Sequence, residues 1–191
     1  MASQTIEVRP IAGALGAEIS GVDLAKPLSN AQFADIHQAL LDHLVIFFRD
    51  QDLTVDQHKD FGRRFGSLDL DRFVVPLDGH PEVMVVSKEP EEKLNFGNGW
   101  HQDVLFQEKP ALGSILYALE APPIGGDTMF ANQYLAYESL SDGMKAMLDS
   151  LVALNTAEGG YGKETLARNF DGQGRSIEIR RDRQEEAEIE V

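Results

Sequence analysis

The apolar residues of this chain come in short runs, and none approaches the roughly 20 residues that span a bilayer. Surface divided this finely is buried by short strands and amphipathic helices packed in layers. At 191 residues, with 42% hydrophobic and 26% charged side chains, the chain is long enough for one domain with a real core, so residues 1–191 read as a single domain. There is no cysteine, which excludes disulfides, thiolate metal sites and a cysteine nucleophile. The start, MASQTIEVRP, lacks the basic-then-apolar layout of a signal peptide. Together these features predict a cytoplasmic protein. The formal net charge of -15 argues against nucleic acid or an anionic membrane as partner. It is read first as a solvated surface, so an anionic substrate would need local arginines, lysines or a metal.

Along the chain, 6–8, 17–19 and 22–24 read as small strands broken by Gly13, Gly16 and Gly21. Ser29 with Gln32 three residues on is a capping-box pattern, and Phe33, Ile36, Leu40 and Leu44 follow at helical spacing. The apolar run 44–48 reads as a fully buried strand. Thr54 with Gln57 starts a second helix, with Phe61 and Phe65 on one face. Strands are expected at 82–86, 100–106, 114–119 and 128–131, with a Pro-Pro-Ile-Gly-Gly-Asp turn at 122–127 and a polar loop over 89–99. The spacing predicts a helix over 141–151 with Met144, Met147, Leu148 and Leu151 facing inward, and a flexible loop at 159–162. Runs 176–180 and 187–191 alternate like half-buried strands. The second reaches the last residue with no stop signal, so the chain reads as part of a longer domain.

The chemistry concentrates at Trp100-His101-Gln102-Asp103. On a strand alternate side chains share a face, so His101 and Asp103 would project together. An imidazole and a carboxylate side by side are two of the three ligands of the facial triad that holds non-haem Fe(II). By itself His-x-Asp is more often a hydrogen-bonded surface pair than a metal site.

Four blocks around the pair change that weighting. They are GALGAEISGVDLAKPLS, LVIFFRDQDLTVDQHKDFGRRFG, NFGNGWHQDVLF and GSILYALEAPPIGGDTMFANQYLAYESLS. In order and spacing they resemble the N-terminal two-thirds of TauD/TfdA-type, taurine dioxygenase-like Fe(II)/2-oxoglutarate-dependent oxygenases. The resemblance implies a mainly β fold, a double-stranded β-helix (jelly roll) with flanking helices, present here only in part. It implies Fe(II) and 2-oxoglutarate as cofactor and co-substrate, and O2 as oxidant. The reaction would be hydroxylation of a small organic molecule with release of succinate and CO2. His101 and Asp103 would be the proximal iron ligands, and Thr128 would bind the far carboxylate of 2-oxoglutarate. Val104 would be a wall of the substrate pocket, with Asn98 near it. Family members are commonly oligomers, which makes a homo-oligomer an expectation.

Two departures matter. The family's second iron histidine and its 2-oxoglutarate arginine lie far downstream, and this sequence has no histidine after His101. Taurine dioxygenase carries histidine and tyrosine in the segment after the second helix, where this chain has Leu68-Asp69-Leu70-Asp71-Arg72-Phe73-Val74, so sulfonate specificity is not carried over. A non-catalytic fragment or binding module is therefore the alternative, and a zinc hydrolase a third reading. Of the remaining residues, Trp100 is expected to pack in the core. His37, His43, His58 and His80 are expected to be exposed or half-exposed, and Arg63, Arg64 and Arg72 to be solvated.

Overall fold

The structure, a computed structural model, describes residues 5–88, 97 and 99–161. The expected strands at 176–180 and 187–191, and most of the 89–99 loop, lie outside the described residues. The chain divides into two units, residues 1–67 with 116–151, and residues 68–115 with 152–191.

The first unit is built on a three-stranded sheet in the order β1-β2-β3, formed by β1 (Glu7–Pro10), β2 (Ala17–Ser20) and β3 (Ile46–Phe48). β1 and β2 pair antiparallel with Val8 opposite Ile19. The turn between them closes through Ile11 N–H donating to the Gly16 carbonyl at 3.0 Å, with Gly16 at φ 96°. β3 pairs parallel with β2, which requires a crossover, and helix α1 (Asn30–His43) supplies it. The expected strand at 22–24 does not form, and the run at 44–48 becomes strand only from Ile46. Leu44 is taken up instead as the left-handed cap of α1, at φ 66°. β3 is half-buried rather than fully buried.

Both predicted capping boxes are present. Ser29 Oγ accepts the Gln32 N–H at 3.2 Å while Gln32 reaches back to the Ser29 N–H at 3.0 Å. Thr54 and Gln57 do the same at the start of α2 (Val55–Arg63). These caps place Ile36 of α1 and Phe61 of α2 in a core with Ile6, Ile19, Leu24 and Ala39, against which Val8, Ile46, Phe48 and Phe65 pack. Glu18 of β2 sits across from Arg9 of β1. The Arg9 and Arg49 guanidiniums, at 3.1 and 3.3 Å, hold its carboxyl below its usual range. The later part of this unit is pinned by single polar contacts. Tyr117 Oη accepts the Leu53 N–H and donates to the Gln51 carbonyl. Asn132 donates to the Ala14 carbonyl at 2.7 Å and caps α3 (Gln133–Glu138) through the Leu135 N–H. Helix α3 was not expected from periodicity. The asparagine cap was the signal for it. Helix α4 (Asp142–Leu148) is shorter than predicted, and Met144, Met147, Leu148 and Leu151 are exposed rather than turned inward.

The second unit carries the hairpin of β4 (Pro76–Leu77) and β5 (His80–Met84), turning at Asp78–Gly79 with Gly79 at φ 74°. β5 starts earlier than predicted and takes His80 into the strand. The core of this unit holds Phe73 and Ala157 with Phe106 and Tyr161 packed on them. Tyr161 ends α5 (Glu158–Tyr161), a short helix where a loop was expected.

The expected strands at 100–106, 114–119 and 128–131 do not form among the described residues. A strand is defined by the partner that completes its ladder. The ladders of the described residues are confined to β1–β3 and β4–β5, so these apolar segments run as turns and irregular backbone. Many of their large side chains, including Leu105, Leu116 and Leu119, are exposed. Among the described residues no helix is long and apolar enough to cross a membrane.

Tyr161 gives this core a pH signature. Burial first, and then the Asp71 and Asp103 carboxylates, push its phenol up to about 12. A phenol whose folded value lies above the ordinary value of about 10 favours the fold below pH 10 and ceases to do so as pH rises through 12. In an alkaline titration followed by phenolate absorbance, one tyrosine is expected to ionise after the others, and Tyr161→Phe is expected to remove that late phase.

Candidate metal centre

The segment carrying the predicted ligand pair is a turn. His101 and Asp103 meet on irregular backbone just before a turn over 103–106, and not by strand alternation. Gln107 N–H donates to the Val104 carbonyl at 3.0 Å, and Val104 has φ 49°. For a β-branched residue this left-handed conformation is an outlier that costs about 1–2 kcal/mol. Trp100 is 70% exposed, contrary to the expected core packing, because its segment joins no sheet and has no core face to turn toward.

The turn leaves His101 Nε2 at 3.3 Å from Asp103 Oδ1. Each ring or carboxylate is also held from its far side. His101 Nδ1 lies 2.8 Å from the Gly99 carbonyl, which can only accept, so the Nδ1–H donates to it. Ser114 Oγ–H donates to Asp103 Oδ2 at 2.9 Å. Gly97, at φ 72°, passes close enough that a Cβ there would stand 3.4 Å from His101 Cε1. Both side chains are more than half exposed, 55% for His101 and 60% for Asp103.

This arrangement has a clear electrostatic meaning. With one proton committed to Gly99, neutral His101 presents the Nε2 lone pair to a carboxylate oxygen. Two electron-rich atoms so placed are stable with a cation between or beside them, either a second proton or a metal. Ligand bonds of about 2.1 Å hold two adjacent donors on one ion roughly 3 Å apart, so the observed separation suits a shared ion. One imidazole nitrogen and one carboxylate oxygen are also donors that Fe(II) accepts. An outer partner on each ligand, a carbonyl on the imidazole and a hydroxyl on the carboxylate, is the usual support of such sites. Among the described residues no group of three or more His, Cys, Asp or Glu gathers around an ion.

Val104 is half-buried in the same turn. Asn98 lies outside the described residues. Thr128 belongs to the first unit, exposed, after Gly125 and Gly126 at φ 81° and 74°. Of the other residues weighed, His37 packs with Phe33 and Phe65, and His58 lies beside the Tyr117 ring. Arg63 pairs with Asp60, and Arg64 reaches the Leu28 carbonyl over the Phe33 ring. Sequence reasoning missed Ser114 and the Gly99 carbonyl. A hydroxyl eleven residues away and a backbone oxygen leave no pattern to read.

Comparison with known proteins sets the class. Residues 7–189 match the taurine catabolism dioxygenase TauD, TfdA family, and the chain belongs to that family. Its members use Fe(II) and 2-oxoglutarate. More particularly, the chain is 37% identical over 161 residues to an alkylsulfatase of Acinetobacter baylyi, covering 84% of this chain and 50% of that protein. It is 36% identical over 157 residues to an alpha-ketoglutarate-dependent sulfate ester dioxygenase of Pseudomonas putida, covering 82% of this chain and 51% of the relative. Among solved structures it is similar to a taurine dioxygenase from Burkholderia xenovorans, with TM-score 0.67 and 42% identity over 76% of this chain and 52% of that one. The chain thus spans about half the length of these relatives.

The outer support of the pair is testable. Loss of such a partner typically weakens metal binding by roughly 10–100-fold. Ser114→Ala is expected to lower the chain's Co(II) affinity within that range, measured by competition with a chelator, with little change in melting temperature.

Proposed function

We propose that this chain carries the iron-facing part of a 2-oxoglutarate-dependent dioxygenase that hydroxylates a small organic molecule and releases succinate and CO2. The single observation behind this reading is the meeting of His101 Nε2 and Asp103 Oδ1 at 3.3 Å with Nδ1 already committed to Gly99. Family membership over residues 7–189 supports it. On this reading residues 1–191 are one part of a family domain whose complete form is a jelly roll.

His101 and Asp103 would hold Fe(II) through one neutral nitrogen and one carboxylate oxygen. When bound, Fe(II) supplies the positions at which 2-oxoglutarate and O2 react, with oxidation of the co-substrate driving hydroxylation. The chain's own residues orient and select. Gly99 fixes the tautomer of His101, Ser114 fixes the rotation of Asp103, and Val104 forms a wall beside the ligand pair. Thr128 would donate its hydroxyl to the far carboxylate of 2-oxoglutarate, and Asn98 would lie near the pocket. Sulfate esters are the first substrates to assay, because a matched relative is named for them. Under this reading the protein is soluble and acts without nucleic acid or membrane, and it assembles as a homo-oligomer in the cytoplasm.

Anaerobic addition of Fe(II) and then 2-oxoglutarate is expected to produce a weak visible charge-transfer band. Absence of that band, with Fe(II) uptake the same in wild type and in Asp103→Ala, would overturn the reading. A second reading, a metal-binding module without turnover, is favoured by the lack of a third ligand among the described residues. Succinate release by the 191-residue chain alone, under air with Fe(II) and 2-oxoglutarate, separates the two. Release supports the enzyme, and band formation without release supports the module.

A further inference from the structure

We propose that the outer face of the β1–β3 sheet is the contact through which two copies of this chain pair, about a two-fold axis lying across the strands. The inference rests on the homo-oligomer named above, for which it supplies the interface, and is independent of the metal reading.

Residues directly across a ladder place their side chains on one face of the sheet. On the inner face Val8, Ile19, Ile46 and Phe48 join the core with helices α1 and α2. The outer face carries two rows. In the first, Arg9, Glu18 and Phe47 stand abreast on β1, β2 and β3. In the second, Glu7 stands opposite Ser20, and Arg49 follows two residues after Phe47 on that side. Contacts within the chain keep both rows on this face. Arg9 and Arg49 both reach Glu18, at 3.1 and 3.3 Å, and Ser20 Oγ–H donates to Glu7 Oε2 at 3.1 Å. The two arginine side chains are still 72% and 68% exposed, so the face is open there. Strands paired in parallel, as β2 and β3 are, are normally covered on both faces.

A second copy fits this face through charge. Acids outnumber bases 32 to 17 in the chain, so two copies repel in most approaches. The two rows hold two carboxylates and two guanidiniums, and so are balanced. They are also complementary to themselves when turned over. A two-fold axis across the strands, between the rows, lays each row on the other row of the partner copy, strand over strand. Glu7 then meets the partner's Arg9, Ser20 meets the partner's Glu18, and Arg49 lies over the ring of the partner's Phe47. Each of these contacts occurs twice, as an isologous interface requires. A guanidinium with a carboxylate, a hydroxyl with a carboxylate and a guanidinium over a ring are all favourable pairs. An axis along the strands would instead set Glu18 against the partner's Glu18, so the pattern selects one of the two arrangements. Phe130, 48% exposed and 6.2 Å from Phe47, extends the ring surface that receives the arginine. Arginine and aromatic residues are the types enriched where proteins meet.

The test is sedimentation velocity of the 191-residue chain over a concentration series, with a melting curve for each variant. Wild type is expected to associate as a dimer. Glu7→Arg sets arginine against the partner's Arg9, and Arg9→Glu sets glutamate against the partner's Glu7. Each variant alone is expected to weaken self-association by at least about tenfold, because like charges set face to face are costly. Mixed in equal amounts, the two variants restore opposite charges at both positions, and the mixture is expected to dimerise to within about tenfold of wild type. Such rescue requires a contact between copies in this register, since damage inside one copy is not repaired by a second damaged chain. If either charge variant does not fold, Arg49→Ala, which takes the guanidinium off the partner's Phe47, is read in its place, with weaker association as the expected result. A wild-type oligomer that neither charge variant weakens (nor Arg49→Ala, where it is the one read), or a mixture that stays monomeric, overturns this face and leaves the homo-oligomer standing. A wild-type chain that remains monomeric overturns both and leaves the metal reading untouched.

Discussion

Replacing His101 and Asp103 together by alanine is expected to lower Co(II) or Fe(II) affinity by at least about 100-fold, beyond the range seen when only an outer partner is lost. The two side chains are the whole of the donor set that the described turn assembles, and no third acid, histidine or cysteine joins them there. Losing the imidazole removes the neutral nitrogen donor, and losing the carboxylate removes the charge that offsets the cation. The fold should tolerate the change. Both side chains are more than half exposed, so neither leaves a cavity, and surface substitutions of this kind usually stay within about 0.5 kcal/mol. A chelator-competition titration paired with a melting curve reads both quantities. A large affinity loss at constant stability is the expected outcome. Affinity unchanged in the double variant would place any bound metal elsewhere.

The largest stability effect is expected at Phe73. Its ring is buried at 1% exposure, stacked by Tyr161 and met edge-on by Phe106. Truncating a buried phenylalanine typically costs about 3–5 kcal/mol, from lost transfer energy and from the cavity left behind. Among the described residues, the cluster around Phe73 has Ala157 as its other buried member. Phe73→Ala is therefore expected to lower the urea midpoint sharply. A loss below about 1 kcal/mol would mean that the trio is not the core it looks to be. Phe73→Leu, which keeps most of the volume, should retain much of the stability.

The two capped helices were legible because capping is local. Ser29 with Gln32 and Thr54 with Gln57 carry both halves of each hydrogen-bonded box within four residues. The parallel return of β3 onto β2 was not stated by the sequence, yet an apolar run following a helix already pointed to a buried strand. The strands expected at 100–106, 114–119 and 128–131 failed for the opposite reason. Alternation records which face would be buried, but the ladder depends on a partner far away in sequence. The inward stripe assigned to Met144 and Met147 failed likewise, since helical spacing names a face and not what covers it.

At the site, the pairing of His101 with Asp103 was visible in the sequence and the means of pairing was not. Two residues apart on a strand and two residues apart on irregular backbone look the same as letters. Valine at position 104 conceals the turn further, because glycine or asparagine is the usual sign of positive φ. Ser114 reaches Asp103 only through tertiary packing, so its contribution is readable only in the folded chain.

The central claim is that one imidazole and one carboxylate in this turn share an ion, and X-ray absorption at the cobalt edge of the Co(II)-loaded chain tests it most directly. The account predicts the multiple-scattering signature of a single bound imidazole, lost in His101→Ala and kept in His58→Ala. A spectrum with oxygen donors only, or an imidazole signal that survives His101→Ala, would contradict it.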